Sequence, residues 1–183
     1  MAAIARWLDA GADLEAAGEG YNGSAPLASA AAGGHLAAVQ ALLARGASVA
    51  ATNGAQMTPL LEAAFARKTA VVEALLEAGS DVNAASHSGR TALMYAAQSG
   101  DAATLRILAD RGAELELRTK DGQSALDLAA AGGHLAAVQA LLAHGASVTA
   151  TNGKQMTPLL VAAFACKTAV VEALLEAGSD VNA

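Results

Sequence analysis

Residues 52–84 read TNGAQMTPLLEAAFARKTAVVEALLEAGSDVNA, and this stretch decides the architecture. Thr58-Pro59 opens a helix. The threonine hydroxyl can accept a hydrogen bond from an orphaned amide, and proline's fixed φ suits a first turn where its missing N–H costs nothing. Leu60, Ala63 and Ala64 then give a short helix one face of small residues. The periodicity breaks near Arg67-Lys68. Val71, Val72, Leu75 and Leu76 resume it at three- and four-residue spacing, the pattern of a second amphipathic helix. Gly79 ends that helix, because glycine readily takes the left-handed conformation common at a helix C-terminus. The stretch that follows, up to the next helix start, lacks helical periodicity and predicts a projecting turn.

Working outward, the same ending recurs. Glycine, then Ala or Ser, one further residue, and Leu or Val occur at Gly11, Gly46, Gly79, Gly112, Gly145 and Gly178, at intervals of 35, 33, 33, 33 and 33 residues. Residues 30–84 and 129–183 match at 50 of 55 positions, offset by 99 residues. The five differences are Arg45/His144, Ala50/Thr149, Ala55/Lys154, Glu62/Val161 and Arg67/Cys166. A block of the chain has been duplicated, whether by evolution or by a cloner.

A period of about 33 residues is that of ankyrin repeats. The sequence resembles that family at Thr58-Pro59-Leu60 and Thr157-Pro158-Leu159, at Gly34-His35-Leu36 and Gly133-His134-Leu135, and at Gly79-Ser80-Asp81-Val82-Asn83-Ala84. The resemblance spans nearly the whole chain. It implies an all-α solenoid of stacked helix–turn–helix units with projecting β-turn loops. The units expected are a partial N-terminal repeat over 1–16, then repeats 17–51, 52–84, 85–117, 118–150 and 151–183 in one continuous array. The histidine that follows Thr-Pro-Leu in the family, and usually helps bridge adjacent turns, is replaced by Ala28, Leu61, Met94, Asp127 and Leu160. Gly54 and Gly153 stand two residues earlier than the family's turn glycine, and the loop 17–24 is two residues longer. The last repeat ends at Ala183 without a polar capping helix, so self-association through that face is an expectation, as is a longer parent array.

Composition agrees with a thin, stacked structure. Hydrophobic residues make up 54% of the 183, much of it alanine, while aromatics are only 3%. Small side chains let backbones approach, and the core then lies between neighbouring units. The net charge is −6, with no Lys/Arg cluster, which argues against nucleic acid as a partner. Cys166 is the single cysteine, so no intrachain disulfide can form and a reducing compartment, the cytoplasm, is expected. Residues 1–14 lack the basic and apolar regions of a signal peptide. An uncharged run from Ser24 to Ala44 is interrupted by Pro26, Gly33-Gly34, His35 and Gln40, and does not read as a membrane span.

Motifs for chemistry are weak. Gly18-Glu19-Gly20-Tyr21-Asn22-Gly23 spells a dinucleotide fingerprint, but it lies in a repeat connection rather than between a strand and a helix. Asn22-Gly23-Ser24 has the pattern of a glycosylation site and reads as a turn. His35, His87, His134 and His144 show no metal-ligand spacing, and Cys166 has no local histidine. The acidic residues Glu73, Glu77, Glu172, Glu176, Asp81 and Asp180 recur with the repeats, whereas paired catalytic carboxylates need two differently tuned environments. No catalytic residue, cofactor or metal is expected.

The family resemblance implies a concave groove lined by turn tips and the exposed ends of the first helices. By register this includes Asn22, Ser24, Ala32, Gly33, Gly54, Ala55, Ala66, Ser88, Gln98, Ser99, Asp121, Gln123, Ala131, Gly132, Gly153, Lys154 and Ala165. Within it, aromatic, cationic and flexible apolar side chains are the usual interface anchors, which selects Tyr21, Met57, Phe65, His87, Arg90, Lys120, Met156 and Phe164. For the Phe and Met residues, plugging gaps between helices is the competing reading. The function expected is a protein-interaction scaffold that binds a protein or peptide. The alternatives are an engineered repeat protein without a native partner and a regulatory fragment of a larger enzyme. The duplicated block predicts two nearly identical grooves, and hence avidity for a repetitive partner.

Overall fold

In the computed structural model, which describes residues 25–180, helices start where capping side chains place them. Thr58, Thr91 and Thr157 each accept a hydrogen bond from the amide three residues on, at 3.3–3.4 Å. Ser124 does the same for Asp127, whose carboxylate in turn accepts from the Ser124 amide, a reciprocal capping box. Tyr21, the partial repeat 1–16 and the long loop with its glycine and glycosylation patterns lie outside the described residues.

The chain divides into two compact units, Met1–His87 and Ser88–Ala183. The first contains α1 (Pro26–Gly33), α2 (Leu36–Ala44), α3 (Pro59–Phe65) and α4 (Thr69–Glu77). The second contains α5 (Ala92–Ser99), α6 (Ala102–Asp110), α7 (Ala125–Gly132), α8 (Leu135–Ala143), α9 (Pro158–Phe164) and α10 (Thr168–Glu176). Within the first unit α1 packs on α3 and α2 on α4. Within the second, α5, α7 and α9 form one row and α6, α8 and α10 another. The described residues form ten helices and no extended strand. This is an all-helical repeat fold.

The alanines make this stacking possible. Ala63 and Ala64 in the first unit have no exposed surface, nor do Ala96, Ala97, Ala129 and Ala130 in the second. First helices therefore approach backbone to backbone. The larger apolar volume is supplied by one leucine per second helix at a fixed register, Leu42 and Leu75 in one unit and Leu108, Leu141 and Leu174 in the other, all buried. Burying each contributes about 1.5–3 kcal/mol.

Two register positions require left-handed backbone. The first helices α1, α5 and α7 end on Gly34, Gly100 and Gly133, at φ 70–75°. The same position after α3 and α9 carries Arg67 and Cys166, at φ 58° and 55°. In the projecting turns, Gly89 and Gly122 have positive φ, and their counterparts Gln56 and Gln155 take it at 56° and 61°. All four non-glycine residues fall in the two copies of one repeat, 52–84 and 151–183. Such a conformation costs a residue with a Cβ about 1–2 kcal/mol.

The bridge that the missing histidine would have made is replaced by other bonds between repeats. The His87 amide donates to Ala55 O at 2.9 Å in the first unit, and the Lys120 amide to Ser88 O at 3.0 Å in the second. A ring nitrogen of His134 lies 3.0 Å from Gln98 O, and the Ser147 amide donates to Glu116 at 2.8 Å.

Candidate partner-binding groove

In the second unit the turns 119–123 and 152–156 and the ends of α7 and α9 enclose an open groove of about 1040 Å³. Each turn is held from its root. Thr119 and Gln123 pair across one, the Thr119 amide donating to Gln123 O at 3.0 Å and its hydroxyl accepting from the Gln123 amide at 3.2 Å. In the other, Asn152 Oδ1 accepts from the amides of Lys154 and Met156 at 2.9 and 3.1 Å. The two tips lie close together: a Cβ on Gly153 would sit 2.5 Å from Asp121 O. Glycine is therefore required two residues ahead of the usual turn glycine, and Gln155 occupies the left-handed site that glycine would otherwise fill.

Lys120, Met156 and Phe164 are brought together as lining of this groove. Phe164 is 86% exposed and Phe65 62% exposed, so neither plugs a gap between helices. Met57 does not follow them. It is buried, with 9% exposure, so it offers a partner little surface. Its counterpart Met156 is half-buried. His87 is exposed in the first unit. Arg90, in the second, is half-buried: it donates to Gln98 Oε1 at 2.6 Å and lies 5.9 Å from the centre of the Tyr95 ring. Asp121, Gln123, Ala131, Gly153, Lys154 and Ala165 also line the groove. Gly122, Asn152 and Val161 line it as well and escaped the sequence reading. The signal for Val161 was present, since it is one of the five positions at which the duplicated blocks differ.

The family description "Ankyrin repeats (3 copies)" matches residues 2–86, 27–119 and 93–183, in overlapping spans that together take in residues 2–183. The chain belongs to the ankyrin-repeat family. No curated protein matches it. Ankyrin repeats are in general protein–protein interaction modules and are typically non-catalytic.

Against the ankyrin pattern, Asp127 is the departure with the largest electrostatic consequence. It stands fully buried in the place of the family histidine. Burial pushes its carboxyl above the ordinary carboxylate range, opposed by the hydrogen bonds from Ser124 and by the Arg118 guanidinium, 3.9 Å away. Oδ2 takes both Ser124 bonds, while Oδ1 is buried without a hydrogen-bond partner. This is a structural carboxylate at a helix start. Among the described residues no group of three or more His, Cys, Asp or Glu side chains is placed to hold a metal, and no helix is long and apolar enough to cross a membrane.

The two copies of the block are not equivalent at the groove. In the first, the Asn53 amide group donates to Glu62 Oε1 at 2.9 Å, and burial raises the Glu62 pKa against that bond. In the second, Val161 replaces Glu62 and Lys154 replaces Ala55, and both line the groove. The copies thus match along the stacking positions and differ in charge and polarity at positions 55/154 and 62/161.

Proposed function

We propose that this chain is a protein-interaction scaffold that binds a protein or peptide through turn tips and first-helix ends, with Phe65, His87, Arg90, Lys120, Met156 and Phe164 as contact residues. Met57 is assigned to packing rather than contact. The observation that carries the reading is the exposure of Phe164 beside an open groove. A solvated phenylalanine at the edge of a preformed concavity is an unfavourable arrangement until a partner covers it, and aromatic anchors dominate interface energetics. A surface already in place loses little conformational freedom on binding, which favours affinity. The single, exposed Cys166 fits a reducing cytoplasm.

A photo-reactive phenylalanine analogue placed at 164, with the same group at the exposed Glu172 on α10 as control, tests this. Crosslinks to a discrete partner from position 164, absent from 172, are expected. Equal crosslinking from both positions would remove the groove from consideration.

A further inference from the structure

The difference between the duplicated blocks says what chemistry the groove of the second unit selects. In the first block the Asn53 amide group is occupied by an internal carboxylate, Glu62, at 2.9 Å. In the second block the same turn is rebuilt around Asn152, with the same bonds to the amides at its tip. Position 161 there is valine, so the Asn152 amide group meets no carboxylate from α9. Asn152, 9% exposed at the floor of the turn, and the half-buried Val161 both line the groove, which Met57 does not, and the further change Ala55/Lys154 adds a cation to the same lining, alongside Lys120. Relative to the first block, the second lacks a carboxylate and has an added positive charge around one amide donor, in a chain whose net charge is −6.

We propose that this groove binds a peptide segment carrying an Asp or Glu next to a large apolar side chain, the ligand carboxylate taking the place that Glu62 holds in the first block. The carboxylate accepts from the Asn152 amide group and pairs with Lys154. The neighbouring apolar side chain rests on Val161, Met156 and Phe164. Charge complementarity selects this occupant: a lysine-rimmed groove favours an acidic segment and rejects a basic one. Asp121, also in the lining, acts in the opposite sense on its own side, where it repels a second acidic residue while leaving the Lys154 side open. The inference rests on the groove reading above and adds to it the class of ligand.

The test uses the full chain, a phage-displayed library of random peptides about nine residues long, and fluorescence anisotropy on the peptides enriched. Expected are peptides that share an acidic residue beside Leu, Phe or Met. Their affinity should fall about tenfold or more in Val161→Glu, the size of one charge-assisted hydrogen bond, and by a similar factor when the peptide's own Glu is changed to Gln. Val161→Glu restores the residue that the first block carries at this place, and Lys154→Ala restores the other, so either variant can be read if one fails to fold. Enriched peptides that lose binding in Phe164→Ala but lack an acidic residue, or keep full affinity in both restoring variants, would overturn the carboxylate inference and leave the groove standing. Peptides indifferent to Phe164→Ala, or no enrichment at all, would overturn the groove reading together with it.

Discussion

At the residue scale, the duplicated repeat holds strain that the other repeats avoid. Gln155 and Cys166 occupy left-handed backbone at φ 61° and 55°, where the neighbouring repeat has Gly122 and Gly133. Replacing either with glycine removes a cost of about 1–2 kcal/mol and adds about 0.4–1 kcal/mol of unfolded-chain entropy. Each of Gln155→Gly and Cys166→Gly is therefore expected to stabilise by about 0.5–1 kcal/mol, read as a higher urea midpoint at unchanged slope. A lower midpoint would mean that the side chains make contacts outweighing the strain. His144 makes a second case. Its Nδ1 lies 2.7 Å from Ala140 O and its Nε2 3.1 Å from Asp110 Oδ1. Both partners are acceptors, so both ring nitrogens serve best as donors, which is the cation. The bond to Ala140 O and then the bond to Asp110 raise the pKa, against desolvation and the charge of Arg106. A raised imidazole pKa contributes stability fully below about pH 6.5 and loses it as pH climbs through the folded value. The melting temperature should therefore fall modestly as pH rises above about 6.5, and His144→Gln should remove that part of the slope. A wild-type slope unchanged by the substitution would place the titration elsewhere.

At the element scale, helix starts rest on single hydroxyls. Thr91→Ala leaves the Met94 amide without its cap at a buried helix start and should cost about 1 kcal/mol, within the usual range of about 0.5–2, in chemical denaturation. No loss would mean that water or another group satisfies the amide. Elements of this kind were legible in the sequence. Thr58-Pro59, the break at Arg67-Lys68 and Gly79 are each local signals, and the structure has helices at Pro59–Phe65 and Thr69–Glu77 with Gly79 at φ 86°. What stayed hidden depends on distance between repeats rather than on local preference. Nothing local marks Gln56 or Arg67 as left-handed: only the register, which puts Gly89 and Gly100 at the equivalent places, could have shown it. Met57 read as a possible anchor because it sits in a turn, yet it is buried; the turn's own bonding does not decide this, since Met156 makes the same bond to Asn152 and is half-buried. Val161 was passed over because the expected groove positions followed the family's register, while the lining of this groove depends on where two particular turns approach across Gly153.

At the scale of the whole molecule, stacking makes stability local. Each described second helix buries one leucine at the same register, and a repeat gains its core from its neighbours rather than from a common centre. Leu75, with no exposed surface, belongs to α4 in the first unit. Leu75→Ala should cost about 2–5 kcal/mol, the usual effect of emptying a buried leucine site. In a globular core that loss would spread over every element that unfolds with it. In a chain of nearest-neighbour contacts it concentrates where the side chain was removed, and unfolding departs from a single two-state transition. Amide hydrogen exchange separates the two. Protection should drop strongly in α3 and α4 and least in α9 and α10, while Leu174→Ala should reverse the order. An equal drop in all the helices would show that the repeats unfold as one cooperative body, and an unchanged melting curve would mean that Leu75 is not the core position its register makes it. The same locality lets the groove of the second unit diverge: with stacking held by alanines and leucines elsewhere in each repeat, positions 154 and 161 can change charge and polarity without disturbing the turn and the helix that carry them.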